Sequence, residues 1–132
     1  VPALDTNVLV RLVVGDDARQ NARVLRLIED SATRGELLFV PLTVTLELEW
    51  ILRARYGFSR DAILATLVGL LESREFEFQD EPSVERSLDF YRSTHADFAE
   101  CLHLASAITH GRTPLLTFDR IASRLDGAQA LL

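Results

Sequence analysis

Asp5 ends a short apolar run, Val1-Pro2-Ala3-Leu4, and is followed by Thr6-Asn7. Asp119 repeats the arrangement at the end of Pro114-Leu115-Leu116-Thr117-Phe118. In open parallel α/β sheets, ligands bind outside the carboxyl ends of the strands. Two aspartates remote in sequence, each just past a strand-like run, can therefore serve one site. Carboxylates with no lysine to neutralise them suit a hard divalent cation, which takes oxygen ligands. Two further acidic places have similar settings. Glu47 lies about one turn into the helix suggested by Thr43-Val44-Thr45-Leu46-Glu47-Leu48-Glu49-Trp50, and Asp97-Phe98-Ala99-Glu100 opens the helix that leads into the Asp119 strand.

The chemistry such acids support is that of a bound metal ion. Mg²⁺ typically holds one or two carboxylates and keeps several waters at ~2.0–2.1 Å. A bound metal lowers the pKa of water and offsets charge on a phosphorane-like transition state, and paired metals in nucleases stand ~3.5–4 Å apart, which needs about this number of acids. Thr6, Asn7 and Thr117 are placed to orient carboxylates or waters by hydrogen bonds.

The same residues have plainer uses. Asp97 and Glu100 have the spacing of a capping box, with Asp97 as N-cap and Glu100 at the third helical position. Asp119 suits a cap before Ile121, and Asp5 a turn. Asp16, Asp17, Asp80 and Glu81 read as turn and cap acids. His103 stands two residues from Cys101, on a different side of its helix, and His95 and His110 flank that helix as surface residues. Trp50 is expected in the core rather than as a base-stacking platform, and Cys101 as a small buried hydrophobe.

The elements that must position these groups alternate between strand and helix. Residues 1–4 suggest a first strand and residues 6–14 a helix broken at Gly15-Asp16-Asp17, with Asp16 the expected N-cap of the next helix. That second helix carries Val24, Leu25, Leu27 and Ile28, with Arg19, Arg23 and Arg26 on other faces, and stops at Gly35. Leu37-Leu38-Phe39-Val40 is a second strand closed by Pro41. The Glu47 helix follows and ends by Gly57. Ser59 caps the next helix, with Asp61 in its first turn. Phe76 and Phe78 alternate with charges as in a strand, and Pro82 suits the first turn of a following helix. The Asp97 helix ends near Gly111. After the Asp119 strand come a short helical stretch over 121–125 and a final apolar run ending at Leu132. The order predicts an α/β fold: one domain over residues 1–132 with a central, mostly parallel sheet flanked by helices.

Composition narrows the class. A chain of 132 residues is near the usual size of one domain, and 48% apolar residues argue against disorder. No apolar run approaches the ~18 residues of a membrane span. No export signal is visible, and the lone cysteine fits a reducing compartment, so a cytoplasmic location is expected. The net charge of −6 is unusual for a nucleic-acid binder. Two features offset it. Several acids are accounted for if they gather around metal, and every one of the fourteen basic residues is arginine, the side chain suited to bidentate phosphate contact.

Taken together, Ala3-Leu4-Asp5-Thr6-Asn7, Glu47-Leu48-Glu49-Trp50-Ile51-Leu52, Asp97-Phe98-Ala99-Glu100-Cys101-Leu102 and Leu116-Thr117-Phe118-Asp119 resemble, in order and spacing, the PIN-domain nucleases, and specifically the VapC-type toxins of bacterial toxin–antitoxin modules. The resemblance implies a PIN domain acting as a Mg²⁺- or Mn²⁺-dependent endoribonuclease. It nominates Asp5, Glu47, Glu100 and Asp119 as catalytic, with Asp5, Glu100, Asp97 and Asp119 as metal ligands. Glu49 is then a solvated helix-face charge, because Glu47 matches the motif better. One departure is Glu100, where the family most often has Asp; glutamate is one methylene longer, so ligand placement must shift or Asp97 must share the role.

Rival classes fit less well. Haloacid-dehalogenase-type phosphatases need a second aspartate where Asn7 stands, and response-regulator receivers need a lysine, which the chain lacks. The alternative from another class is a non-catalytic PIN-like module that binds RNA or protein. The resemblance also implies a homodimer and a cognate antitoxin that masks the acids. The helix of residues 59–71 carries Ile63, Leu64, Leu67, Val68, Leu70 and Leu71, more than a one-sided ~100° stripe. It is expected to leave an apolar patch for another chain, with Leu67 as a probe of that contact.

Overall fold

In the computed structural model, which describes residues 1–131, the first helix α1 (Thr6–Val14) starts where the sequence suggests. Asp5 is its N-cap, and Gly15, in the left-handed region at φ 66°, ends it by donating its N–H to the Arg11 carbonyl. Helix α2 (Ala18–Thr33) is capped by Asp17, whose side chain accepts from the Gln20 N–H at 3.0 Å. Asp16, the expected cap, instead takes the Arg11 guanidinium and, at 3.4 Å, the Tyr56 hydroxyl. Strand β1 (Leu38–Val40), helix α3 (Leu42–Ala54), helix α4 (Arg60–Glu72) and strand β2 (Phe76–Phe78) follow. Ser59 caps α4 by accepting from the Ala62 N–H, as its type predicts.

Helix α5 (Glu81–Ser93), with Pro82 in its first turn, is followed by α6 (Phe98–Thr109), β3 (Leu115–Thr117), a 3₁₀ turn (Ala122–Arg124) and β4 (Ala128–Ala130). The strand β4 occupies the final apolar run; Leu132, its last residue, lies outside the described residues.

The strands pair in parallel throughout, as an α/β chain requires. The chain forms two compact units, Val1–Gln79 and the residues from Asp80 onward. In the first, β1 pairs with β2 in the register Leu38 to Phe76, Phe39 to Glu77 and Val40 to Phe78. The expected strand over residues 1–4 is reduced to a single parallel bridge from Ala3 to Phe39. The bridge rests on the Phe39 N–H donating to the Pro2 carbonyl and the Leu4 N–H donating to the Phe39 carbonyl, 2.9 and 2.8 Å. Proline has no N–H to extend the ladder. Leu4, Leu9, Val10, Leu38, Val40, Leu48, Leu52, Ile63 and Leu67 form the buried apolar interior of this unit. Helix α4 turns Ile63, Leu67 and Leu70 inward and leaves none of its large apolar residues fully exposed. Leu67 is therefore core and not a contact for another chain, which corrects the expectation for that residue; Leu64, Val68 and Leu71 of the same helix are half-buried.

In the second unit β3 pairs with β4, Leu115 to Ala128 and Thr117 to Ala130. Helices α5 and α6 pack through Val84, Leu88, Phe98, Cys101 and Leu104, and the rings of Tyr91 and Phe98 meet edge to face at 5.5 Å. Cys101 is buried and free. His110 is exposed, and its Nε2 lies 3.0 Å from the Asp80 carboxylate. Asp80 occupies the N-cap position of α5 at φ 53° without a side-chain cap bond. The His110 hydrogen bond pulls its carboxyl below the ordinary value, against a smaller upward push from burial. Among the described residues, no helix is long and apolar enough to cross a membrane.

Candidate functional site

In the first unit, Asp5 and Glu47 are joined by one residue. The Thr6 backbone N–H donates to Asp5 Oδ1 at 2.7 Å, and the Thr6 hydroxyl donates to Glu47 Oε1. Thr6 itself is 2% exposed, while both carboxylates reach solvent. Local sequence explains the arrangement. The apolar residues Leu9 and Val10 pin α1 to the core, so that its N-cap projects at the edge, and Leu48 and Leu52 hold α3 from the inside while Glu47 faces out. Asn7 is exposed and lines a cleft with Val8, Arg11, Gln20, Arg23 and Val24 between α1 and α2.

Two side chains of α3 stand differently from what the sequence suggests. Glu49 is not a solvated charge: it is 2% exposed, and Arg53 donates to it from Nε at 2.9 Å and from Nη2 at 3.4 Å. Trp50 is not core: it is 49% exposed, with the Arg55 guanidinium 5.8 Å from its ring centre. Both follow from helical phase. Thr45, Leu48, Glu49 and Leu52 share the inward stripe, whereas Thr43, Glu47, Trp50 and Ala54 share the outward one.

In the second unit, Asp97 is the N-cap of α6 and Glu100 lies in its first turn. The expected capping box does not form: the Asp97 side chain makes no cap hydrogen bond, and only its carbonyl accepts, from the Cys101 N–H at 3.0 Å. The Asp97 carboxylate thus stands at a helix N-terminus, where the dipole favours negative charge. Asp119 does act as a cap, accepting from the Ala122 N–H at 2.7 Å, and its own N–H donates to the Thr117 hydroxyl at 3.0 Å. Capping uses Oδ1 of this exposed carboxylate. Thr117 therefore anchors the Asp119 backbone, and Thr6 is the residue that touches carboxylates directly.

Among the described residues, no three His, Cys, Asp or Glu side chains are gathered as a ready-made metal cage. The donor chemistry fits a divalent cation nonetheless. Every nominated group is a carboxylate; Asp5, Glu47, Asp97 and Asp119 are exposed and Glu100 is partly so. Oxygen-only, solvent-reachable donors are what a hard ion takes while keeping water in its shell.

Comparison with known proteins finds relatives along most of the chain. A VapC ribonuclease of Aquifex aeolicus (strain VF5) is 26% identical over 122 residues, covering 92% of this chain and 90% of that protein. The profile of the PIN domain matches residues 3–128, a span that includes Asp5, Glu47, Asp97, Glu100 and Asp119. The chain belongs to the PIN domain family.

Proposed function

We propose that this protein is a divalent-metal-dependent endoribonuclease, the toxin of a type II toxin–antitoxin module, with residues 1–132 working as one PIN domain in the cytoplasm. The observation that carries the reading is the Thr6 link, which holds two acids of the first and second motif segments, Asp5 and Glu47, in one place at the solvent edge. The likeness to a VapC ribonuclease along 92% of the chain supports the choice of RNA as substrate.

Asp5, Glu100, Asp97 and Asp119 would hold Mg²⁺ or Mn²⁺, and Glu47 completes the catalytic set. When bound, the ion supplies a lowered water pKa and offsets negative charge at the phosphorus. The chain's own contribution is orientation. Thr6 fixes the Glu47 carboxylate through its hydroxyl and Asp5 through its N–H, leaving Asp5 Oδ2 outside that bond. Asp119 is held by its cap bond and by the tether to Thr117. The proposal includes a homodimer and an antitoxin whose basic side chain would pair with the carboxylates; the dimer contact lies elsewhere than Leu67.

Partner-free protein incubated with total RNA and Mg²⁺ or Mn²⁺ tests this reading. New 5′ ends that appear only with metal and vanish with EDTA are expected. RNA that is retained but left uncut would support the non-catalytic binding module instead.

A further inference from the structure

We infer that Trp50 is a stacking platform for an unpaired RNA base, one helical turn from Glu47, and so positions substrate for cleavage. This rests on the ribonuclease reading above and adds a substrate-contacting residue to it.

Exposure of Trp50 is not a shortage of core positions on α3. Val44, Leu48, Ile51 and Leu52 already bury the inward side of the helix. The outward stripe runs Thr43, Glu47, Trp50, Ala54, all exposed, so Glu47 and Trp50 are neighbours at i and i+3. Among the described residues, Trp50 is the single large apolar side chain exposed on this helix. A protein-docking spot centres on a cluster of apolar anchors ringed by other contacts. On α3 the neighbours of the indole at i±3 and i±4 are Leu46, Glu47, Arg53 and Ala54, of which only Leu46 is a large apolar side chain, and it is half-buried, so the helix offers no such cluster. The indole matches the way single strands are held, by aromatic faces on which bases stack whatever their identity, with cations along the backbone.

A cation is present. Arg55 lies over the indole at 5.8 Å, a cation–π contact that steadies the ring and extends the stack. Arg53 is half exposed on the next turn, where its guanidinium is shared with Glu49. In a chain of net charge −6, Arg55 at the end of α3 gives a backbone phosphate a local positive contact, the Arg53 charge being already offset by Glu49. Stacking on Trp50 would then fix one nucleotide while its neighbour lies at Glu47.

The chain contains one tryptophan, so its fluorescence reports this position alone. Metal-free protein in EDTA is titrated with a fluorescein-labelled single-stranded RNA octamer, and with the same octamer carrying abasic residues. Binding is read by anisotropy of the label, and stacking by quenching of the indole. Trp50→Ala and Trp50→Phe are compared for binding, and for KM and kcat in metal-dependent cleavage. We expect saturable quenching by the octamer and little by the abasic strand. Trp50→Ala should weaken binding and raise KM by about tenfold, the range of one base–aromatic stack, with Trp50→Phe restoring most of it. Metal-dependent cleavage by wild type, with no quenching at saturation and an unaltered Trp50→Ala, would overturn this inference and leave the ribonuclease reading standing. A wild-type chain that neither binds nor cuts RNA would overturn both. Wild-type quenching decides the matter should either variant fold poorly.

Discussion

The Thr6 hydroxyl donates to Glu47 across forty-one residues of sequence, while the Thr6 N–H donates to Asp5 beside it. One buried side chain thus sets the separation of two exposed carboxylates. If those acids act together, their alignment depends on that hydroxyl. Thr6→Val keeps the shape and removes the donor. RNA cleavage should fall by roughly 10–100-fold, the usual cost of losing a residue that orients a ligand. Thr6→Ser should keep most of the rate. A cleavage time course under single-turnover conditions checks both, and a Thr6→Val protein with the wild-type rate would show that the link is structural only.

Glu47 and Glu49 stand two residues apart on opposite sides of α3, and their substitutions should separate cleanly. Glu47→Gln is expected to abolish cleavage with an unchanged melting temperature, because the side chain is exposed. Glu49→Ala removes a buried carboxylate bonded to Arg53 and should destabilise the fold by about 2 kcal/mol. Its residual folded fraction should cut RNA normally. Urea melts paired with cleavage assays distinguish the two; loss of activity in Glu49→Ala beyond the unfolded fraction would transfer the catalytic role to Glu49.

Glu100 and Asp97 share the start of α6, and the absence of an Asp97 cap bond leaves its carboxylate to other uses. Glu100→Gln should abolish cleavage and Asp97→Asn should weaken it only. The reverse order would place the third ligand at Asp97. Full activity in both would remove this helix from the metal set.

Acid stability should carry the mark of Asp80. Its carboxyl is lowered from 3.8, chiefly by the hydrogen bond from His110. A depressed folded-state value means that the folded protein binds that proton less readily than the unfolded chain does. The stabilisation is therefore complete above the ordinary carboxyl range and is lost as the pH falls through the lower folded value. Asn tolerates the left-handed backbone that Asp80 adopts at φ 53°. The melting temperature of Asp80→Asn should lie below wild type at pH 6, and the gap should narrow as the pH falls through the ordinary carboxyl value and close below the depressed folded one. A gap that stayed constant with pH would assign the effect to packing.

Much of this was legible in the chain because local chemistry decided it. Ser59 and Pro82 announce helix starts that packing had no reason to override, and the alternation of Phe76 and Phe78 sets a strand whose two aromatics are both buried. The candidate acids were nominated by their settings at element ends. What escaped depended on phase or on competition. Trp50 sits beside Ile51 and Leu52 in sequence and reads as core, yet the 3.6-residue repeat carries it outward and Glu49 inward. That signal was present in the spacing of Thr45, Leu48, Glu49 and Leu52. Asp16 and Asp17 are equally good cap residues, and the choice fell to Asp17 because Arg11 and Tyr56 hold Asp16. The link from Thr6 to Glu47 is a contact between distant segments, which no local pattern encodes.

The most direct measurement is the single-turnover rate of RNA cleavage by Asp5→Asn relative to wild type at saturating Mg²⁺, with both proteins shown to be folded by circular dichroism. The substitution removes one charge at nearly constant shape, and asparagine is as good an N-cap for α1, so stability should be kept. A folded variant whose cleavage is reduced at least a hundredfold is expected, at or beyond the ~10–100-fold that losing an outer-shell partner of a metal ligand costs. Wild-type cleavage by folded Asp5→Asn would contradict the assignment of Asp5 as a metal ligand.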